Sequence, residues 1–353
     1  MRTVLPFVTL LLTGLSAQEP FRANAFLPAD YRNVVGVDFA SLRDTGVLDE
    51  LSAGVAKLAL AQAEAALGVP FAALDRLTMV PRARPAAEDG AEERGPSQQS
   101  VMIIEGNREM DPPPFVVDGS YQDAEVGGRE VKRREAWGDE LFYQPRPSVF
   151  VSGSTAMLEP MIAGKVGPGM PAADVMSLLS SRKDRLLLYF VMDLADEKLN
   201  GDTRDGLFDG AEWPADQAPQ FLFARLFAAG DADDPSIGFE VVVRHAQPGE
   251  GLDVSGKAID GLLQKGQEMP QLRMLAPVLG SVKKSRDVSD LCYRWDLGRA
   301  RTAAGTLATV LLPMLMLGRA VEAQAVAAPV QAAPVPVEPN AEKKKAPDEQ
   351  KKD

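Results

Sequence analysis

Residues 27–67, LPADYRNVVGVDFASLRDTGVLDELSAGVAKLALAQAEAAL, contain the pattern around which the rest of the chain is organised. The apolar run Val34–Val37 is short, rich in β-branched side chains and bounded by polar residues, which predicts a buried strand. Asp38 and Ser41 can accept hydrogen bonds from free N–H groups at a helix start, and Asp44 follows Ser41 by three residues. We therefore expect a strand that leads through one turn into a helix beginning near Ser41.

Apolar residues recur through this helix at helical spacing. The recurring positions are Leu48, Leu51, Val55 and Leu58, followed by Gln62. Spacings of three and four put them on one side of the helix, with Lys57 and Glu64 facing water. Gly68 is expected to end the helix as a C-terminal cap.

A second strand-to-helix unit lies at residues 149–164, with Ser154 or Thr155 as its cap. Between the two units, short β-rich runs separated by turn residues predict an antiparallel meander. The similarity of the units suggests an internal duplication. The glycine-rich segment 164–173 breaks the chain after the second unit, so we expect a domain boundary there.

Periodicity and turn residues also predict the elements of the second half. The expected order is a helix at 173–180, a strand at 186–191, a loop at 193–210, strands at 220–228 and 237–244, helices at 254–265 and 271–279, a strand at 288–295 and a closing helix at 299–317. The chain is thus predicted to be an α+β protein of two related halves, each with helices packed on one face of a mainly antiparallel sheet. The predicted domains are a signal peptide at 1–25, an N-terminal α+β domain at 26–165, a C-terminal α+β domain at 172–320 and a disordered Ala/Pro/Lys/Glu tail at 321–353.

The first residues have the layout of a secretory signal peptide, with Arg2, an apolar stretch from Val4 to Leu15, and then small residues. Cleavage is predicted after Ser16 or after Ala25, which yields an exported protein, periplasmic or extracellular. No cysteine lies near either point, which excludes a lipoprotein anchor. The alternative is an uncleaved apolar first strand.

The net charge and the number of cysteines exclude nucleic-acid binding and internal disulfides. The chain of 353 residues has 38 basic and 50 acidic residues, a net charge of −12, so its field repels phosphate backbones and nucleic acid is not an expected partner. Cys292 is the only cysteine, so no internal disulfide can form. Because it lies in an alternating stretch, we expect a buried structural thiol.

The sequence shows no complete catalytic motif. His245 is the only histidine, which excludes a multi-histidine metal site, and we expect it at the surface where a strand ends. Ser180–Lys183 and Ser281–Lys284 both fit S-x-x-K, but the K-T-G and S-D-N elements of penicillin-recognising enzymes are missing.

Two segments could suggest ligand binding. The acidic segment Asp193–Glu212 fails the EF-hand spacing and is predicted to be a solvated loop rather than a calcium site. The segment Gly164–Gly169 lacks the order of a phosphate-binding loop and is predicted to be a linker. We therefore predict no catalytic, cofactor-binding or metal-binding residues and no cofactor.

The closing helix contains the apolar run 303–318, which Pro313 interrupts and arginines flank. The run is shorter than a membrane span usually needs, so a buried helix is expected. Membrane association through this C-terminal helix remains the alternative.

The motif Leu27–Asp30, the strand Val34–Val37 with Asp38, and Leu42 resemble the opening of uncharacterised secreted proteins of planctomycete-type bacteria. Those proteins likewise open with a signal peptide, an LPAD-like turn, a VVGV-like strand and a leucine-rich helix. Later they show a unit similar to residues 149–164. The resemblance implies an exported protein but no activity and no site residue.

These observations predict an exported, non-catalytic binding or structural module of the cell envelope, whose partner is an envelope protein or polymer. The alternative is a secreted hydrolase whose site is assembled from distant carboxylate or serine residues. Clustered acidic or serine side chains in one apolar-walled pocket would favour the hydrolase. A shallow apolar surface would favour the binding module.

Overall fold

The computed structural model of this chain describes residues 23–54, 56–83, 98–111, 121–134, 139–167, 169–180, 184–208, 210–214, 216–231, 235–268 and 276–308. The predicted signal peptide up to residue 22 and the predicted tail 321–353 lie outside the described residues, as does the closing helix beyond residue 308.

Twelve strands within the described residues form one continuous antiparallel sheet. They are β1 (Val34–Asp38), β2 (Leu74–Ala83), β3 (Gln98–Gly106), β4 (Gln122–Val126), β5 (Arg129–Arg134), β6 (Glu140–Arg146), β7 (Val149–Ser154), β8 (Arg185–Asp193), β9 (Pro219–Ala229), β10 (Ser236–His245), β11 (Lys283–Asp287) and β12 (Asp290–Gly298). Their order across the sheet is β11-β12-β10-β9-β8-β1-β2-β3-β7-β6-β5-β4.

Helices connect and cover these strands. They are α1 (Phe39–Asp44), α2 (Val47–Ala53), α3 (Lys57–Leu67), α4 (Thr155–Ile162), α5 (Ala173–Ser180), α6 (Glu197–Phe208), α7 (Glu250–Glu268) and α8 (Ala276–Gly280), with 3-10 turns at Ala23–Phe26 and Phe71–Ala73. Residues 300–308 are also helical. The protein is thus an α+β protein built on an antiparallel sheet, which confirms the predicted fold class.

The opening strand-to-helix unit is present, but its helix begins earlier than predicted. The first helix starts at Phe39, and its N-cap is Asp38, whose carboxylate accepts a hydrogen bond from the Ser41 N–H at 2.7 Å. Gly68 ends α3 in the left-handed region at φ 78°, as the sequence predicts.

The prediction of one long helix after β1 is wrong, because two glycines divide it into three. Gly46 is left-handed at φ 72° and Gly54 is extended, so regular helical hydrogen bonding stops at both positions. Leu48 and Leu51 are buried as expected, but Leu58 beyond the second break is 70% exposed. The apolar stripe ends at this break, since the spacing argument holds only within one uninterrupted helix.

Helices cover both faces of the sheet, not one face in each half as the sequence predicted. The reason is that the central strands carry apolar side chains on both faces. Ile103 and Ile104, for example, belong to separate buried clusters. The first face, defined by the cluster that includes Ile104, packs against α1, α2, α3, α6 and α7. The second face, defined by the cluster that includes Ile103, packs against α4, α5 and the turn Ala23–Phe26.

One strand joins the two predicted domains into the same sheet. β1 pairs with β2 on one side and with β8 on the other, so Val35 lies opposite both Met79 and Phe190. The Ala172 N–H also donates to the Tyr31 carbonyl at 3.0 Å. The division at residues 165–172 stays a prediction, and so does the internal duplication.

The prediction of a loop across residues 193–210 is wrong, since α6 occupies most of it. The Asp196 carboxylate accepts a hydrogen bond from the Leu199 N–H at 3.2 Å near the start of the helix. The buried Asn200 amide donates to Asn33 Oδ1 at 2.9 Å and to the Asp193 carbonyl at 2.8 Å. Polar side chains hold this helix in place. Its sequence therefore shows little of the apolar periodicity from which a helix is predicted.

Residues 300–308 place Ala303, Ala304 and Ala308 in the first-face core. Across the part of the chain that the structure describes, the helices are too short or too polar to span a bilayer.

Candidate binding surface

The helix α7 lies close to the sheet because small residues face it. Gly251, Ser255 and Gly256 are buried on this side. The Trp213 indole N–H donates to Ser255 Oγ at 2.9 Å, and the Tyr293 hydroxyl contacts the Gly256 carbonyl at 3.3 Å. Short side chains and these hydrogen bonds together fix the position of α7.

The start of α7 is tied to the end of β10 through Gln217. The Gly251 N–H donates to Gln217 Oε1 at 2.9 Å, and His245 Nδ1 lies 2.7 Å from the Gln217 carbonyl oxygen. A Cβ at position 251 would lie only 2.2 Å from that carbonyl oxygen, so glycine is required for this close approach.

His245 ends β10 as predicted, but the prediction that it lies at the surface is wrong. Strand alternation turns it to the same side as the buried Val243, and it is 2% exposed. Burial lowers the pKa of His245 below its ordinary value of 6.5, against opposing effects from Gln217 and Asp290. The neutral ring therefore donates from Nδ1 to the Gln217 carbonyl, while Nε2 is buried with no hydrogen-bond partner among the described residues.

A charged cleft of about 380 Å³ separates α7 from β11 and β12. Lys284 Nζ lies 2.6 Å from Asp260 Oδ1, and Arg286 forms an ion pair with Asp253. The Tyr293 hydroxyl donates to Asp260 Oδ1 at 3.2 Å. Burial, and then the Asp260 carboxylate, raise the pKa of Tyr293 well above its ordinary value, so its hydroxyl stays protonated at neutral pH.

The second S-x-x-K pair belongs to this region but does not form a catalytic pair. Lys284 binds Asp260, whereas the Ser281 hydroxyl donates to the Val278 carbonyl at 2.8 Å. In the first pair, Lys183 lies outside the described residues.

On its other side, α7 forms a groove with α6, also of about 380 Å³. Its lining is mainly apolar and consists of Phe208, Ala211, Val254, Ala258, Gly261 and Leu262, with Lys257 and Lys265 at its rim. Both lysines are exposed. The arrangement can bury apolar groups and attract negative charge at the same time.

The other residues considered from the sequence have structural partners. Cys292 is buried on β12 and forms no disulfide, as predicted. Asp193 is almost buried and lies 2.5 Å from Arg32. Within the described residues, no group of three or more His, Cys, Asp or Glu side chains is placed to hold a metal ion.

Sequence reasoning missed one buried ionic cluster on β9 and β10. Arg225 is 1% exposed, and it lies 2.7 Å from Glu240 and 3.1 Å from Asp184. Its guanidinium also lies over the Phe227 ring at 4.4 Å. The available signal was a single arginine within the apolar run 221–228.

No protein-family model matches this chain, and no curated protein matches it significantly. Solved structures of TP0453 are weakly similar to this chain. Crystal form I is 8% identical with a TM-score of 0.40, and the match covers 84% of this chain and 98% of that one. Crystal form III is 7% identical with a TM-score of 0.41, and the match covers 81% of this chain and 97% of that one.

Proposed function

We propose that this protein is an exported, non-catalytic binding or structural module of the cell envelope, and that the α6–α7 groove is its binding surface. The observation that carries the proposal is the apolar wall of the groove beside the exposed Lys257 and Lys265. Such a surface suits an amphipathic helix of a partner protein that presents apolar and acidic side chains together. Export rests on the signal-peptide layout of residues 1–25.

The dimensions of the groove favour a helical segment over a small molecule. Lys257 and Lys265 are eight residues apart on α7, about 12 Å along the axis at the usual helical rise. Val254, Ala258 and Leu262 follow one another at intervals of four and form a parallel apolar line. These side chains are only half-buried, whereas a small-molecule site normally encloses most of its ligand.

The charged cleft on the other side of α7 gives less support to the alternative of a secreted hydrolase. Asp253 and Asp260 each face a cation, Arg286 and Lys284 respectively. Acid–base hydrolysis by two carboxylates needs one protonated and one ionised group in different environments. Both carboxylates of this cleft are held in ion pairs, and the cleft is lined mainly by charged and polar residues rather than by apolar walls.

Binding of two synthetic helical peptides tests the proposal. Both carry leucines at intervals of four, but one has flanking glutamates eight residues apart and the other has lysines there. Fluorescence anisotropy should show saturable binding of the acidic peptide alone. In the protein, the K257E/K265E double substitution should weaken that binding by about tenfold or more, equivalent to roughly 1.4 kcal/mol.

The substitution Lys165→Glu is the matched control, because Lys165 is exposed and lies outside the groove. It should leave the affinity for the acidic peptide unchanged. Equal binding of both peptides, or no binding of either, would contradict the proposal.

A further inference from the structure

The two outer strands of the sheet, β4 and β11, each have one side without a strand partner in the described part of the chain. β4 pairs only with β5, and β11 pairs only with β12. Unpaired backbone N–H and C=O groups on an edge strand can pair with a strand of another molecule.

Acidic side chains of β4 lie on the first face of the sheet. Asp123 is opposite Lys132, which is opposite Phe142 of the first-face core. Glu125 is two residues from Asp123 and therefore on the same face. Both carboxylates are exposed, and the side chain of Asp123 is 89% accessible.

Basic side chains of β11 lie on the same face at the same spacing. Lys284 is opposite Tyr293, and Arg286 is opposite Leu291, and both of these partners belong to the first-face core. Both basic residues are exposed.

Three of these four side chains already form an exposed ion pair within the chain, Asp123 with Lys132 at 2.8 Å, Lys284 with Asp260, and Arg286 with Asp253. Because all four remain exposed, the sheet still presents two carboxylates at one edge and two cations at the other.

We propose that β4 of one copy of this protein pairs with β11 of a second copy, head to tail. Every neighbouring pair in the sheet is antiparallel, so β4 and β11, separated by eleven such steps, run in opposite directions. A second copy added in the same orientation therefore presents its β11 antiparallel to β4. In that arrangement Asp123 and Glu125 approach Arg286 and Lys284 of the next copy.

Charges on the edges select this arrangement over others. Pairing of β4 with β4, or of β11 with β11, would bring like charges together. Glu125 already lies opposite Glu130 within the chain, and a lysine from the second copy would reduce that repulsion.

The contact generates an open assembly rather than a closed dimer. A head-to-tail contact uses different surfaces on the two copies, so each new copy leaves another edge free. Sheet twist of about 20–25° per strand rotates successive copies, which makes the assembly helical. Because each edge has five residues and its charges are exposed, association should be weak, reversible and sensitive to salt.

Sedimentation velocity of the purified protein tests this contact. At about 10 mM salt, where the Debye length is about 30 Å, the average mass should rise with protein concentration to roughly twice that of the monomer or more. At about 1 M salt, where the Debye length is about 3 Å, the monomer should dominate. A wild-type protein that stays monomeric at low salt would overturn the proposal.

Variants in which the charges of one edge strand are reversed test whether β4 and β11 form the contact. D123K/E125K alone and K284E/R286E alone should each remain monomeric, because both edges of each variant then carry the same sign. An equimolar mixture should associate like the wild type, since each variant supplies the edge that the other needs. If both variants are folded by circular dichroism and their mixture stays monomeric, the proposal is wrong.

The variant K284E/R286E breaks the ion pairs with Asp260 and Asp253, so it could fail to fold. A second comparison, which does not need that variant, keeps the test decisive. D123K/E125K alters exposed side chains and breaks only the surface ion pair of Asp123 with Lys132, so it should fold. Its association at the wild-type level would by itself overturn the proposal. The control D49K/E50K makes the same charge change at exposed positions of α2 and should associate like the wild type.

Discussion

Buried polar side chains connect elements that are distant in the sequence. Arg225 binds both Glu240 and Asp184, and His245 binds the carbonyl of Gln217. Each group loses water on burial, so it is stable there only with a partner or in its neutral form. His245 is neutral in the folded protein, so the free energy of unfolding should depend on pH through this residue.

We expect His245 to reduce stability as the pH falls. Its pKa in the folded protein is below the ordinary value of 6.5, so the unfolded chain takes up a proton at a higher pH than the folded chain does. The free energy of unfolding should therefore be unaffected well above pH 6.5, decrease as the pH falls through 6.5, and level off below the folded pKa. Urea unfolding at a series of pH values measures this.

The variant His245→Asn is the control, because an asparagine amide can donate at the position of Nδ1 but does not titrate. The decrease below pH 6.5 should be smaller in this variant. Glu105 titrates in both proteins, with its pKa raised mainly by burial, so its contribution cancels in the comparison. Identical pH profiles for the two proteins would show that His245 has no such effect.

At the level of the strands, the junction between β1 and β8 depends on a close contact. Gly36 lies opposite Tyr189, and a Cβ at position 36 would lie 2.3 Å from Cε1 of the tyrosine ring. The ring therefore occupies the space that any larger residue would need.

The substitution Gly36→Ala should destabilise the protein by about 1–3 kcal/mol, the usual cost of overpacking. Equilibrium urea unfolding measures the change. In Gly206→Ala, by contrast, the new methyl group meets open space on α6, and we expect a gain of about 0.5–1 kcal/mol from reduced backbone entropy. Equal effects of the two substitutions would refute the packing argument.

The elements that the sequence predicted correctly have clear apolar patterns, and those it missed do not. β1, α5 and the strands on either side of residues 230–235 lie where their β-rich or periodic runs predicted. β11, with the sequence KKSRD, is exposed at every position, so its side chains carry no alternation. It forms as the first strand of a hairpin with β12, joined by the two-residue turn 288–289. The turn sequence Val288–Ser289 is not one of the Asn-Gly or Asp-Gly pairs that mark a hairpin in a sequence, and Val288 adopts a positive φ of 47°.

Local sequence patterns could not predict the candidate binding surface either. The groove needs α6, which the sequence predicted to be a loop, and it needs α7 to lie beside it. Phe208 and Leu262 are more than fifty residues apart, so only packing on the sheet brings them together.

For the molecule as a whole, the continuous sheet predicts cooperative unfolding. β8 borders β1 on one side, so the segments 26–165 and 172–320 share a strand pairing at the centre of the sheet. Differential scanning calorimetry of the purified protein should give one transition, with equal calorimetric and van't Hoff enthalpies. Gly36→Ala should lower the midpoint of that transition without splitting it. Two separate transitions in the wild type would instead support two independent domains.

The sequence by itself determined the fold class and most of the strands. Local hydrophobic patterns and turn residues act over a few positions, and they are sufficient to specify an antiparallel α+β protein. Only the tertiary structure decided that the strands form a single sheet, where its two edges lie, and which charges those edges present. Strand order and the burial of Arg225 and His245 depend on contacts between residues distant in sequence, whose energies no local pattern contains.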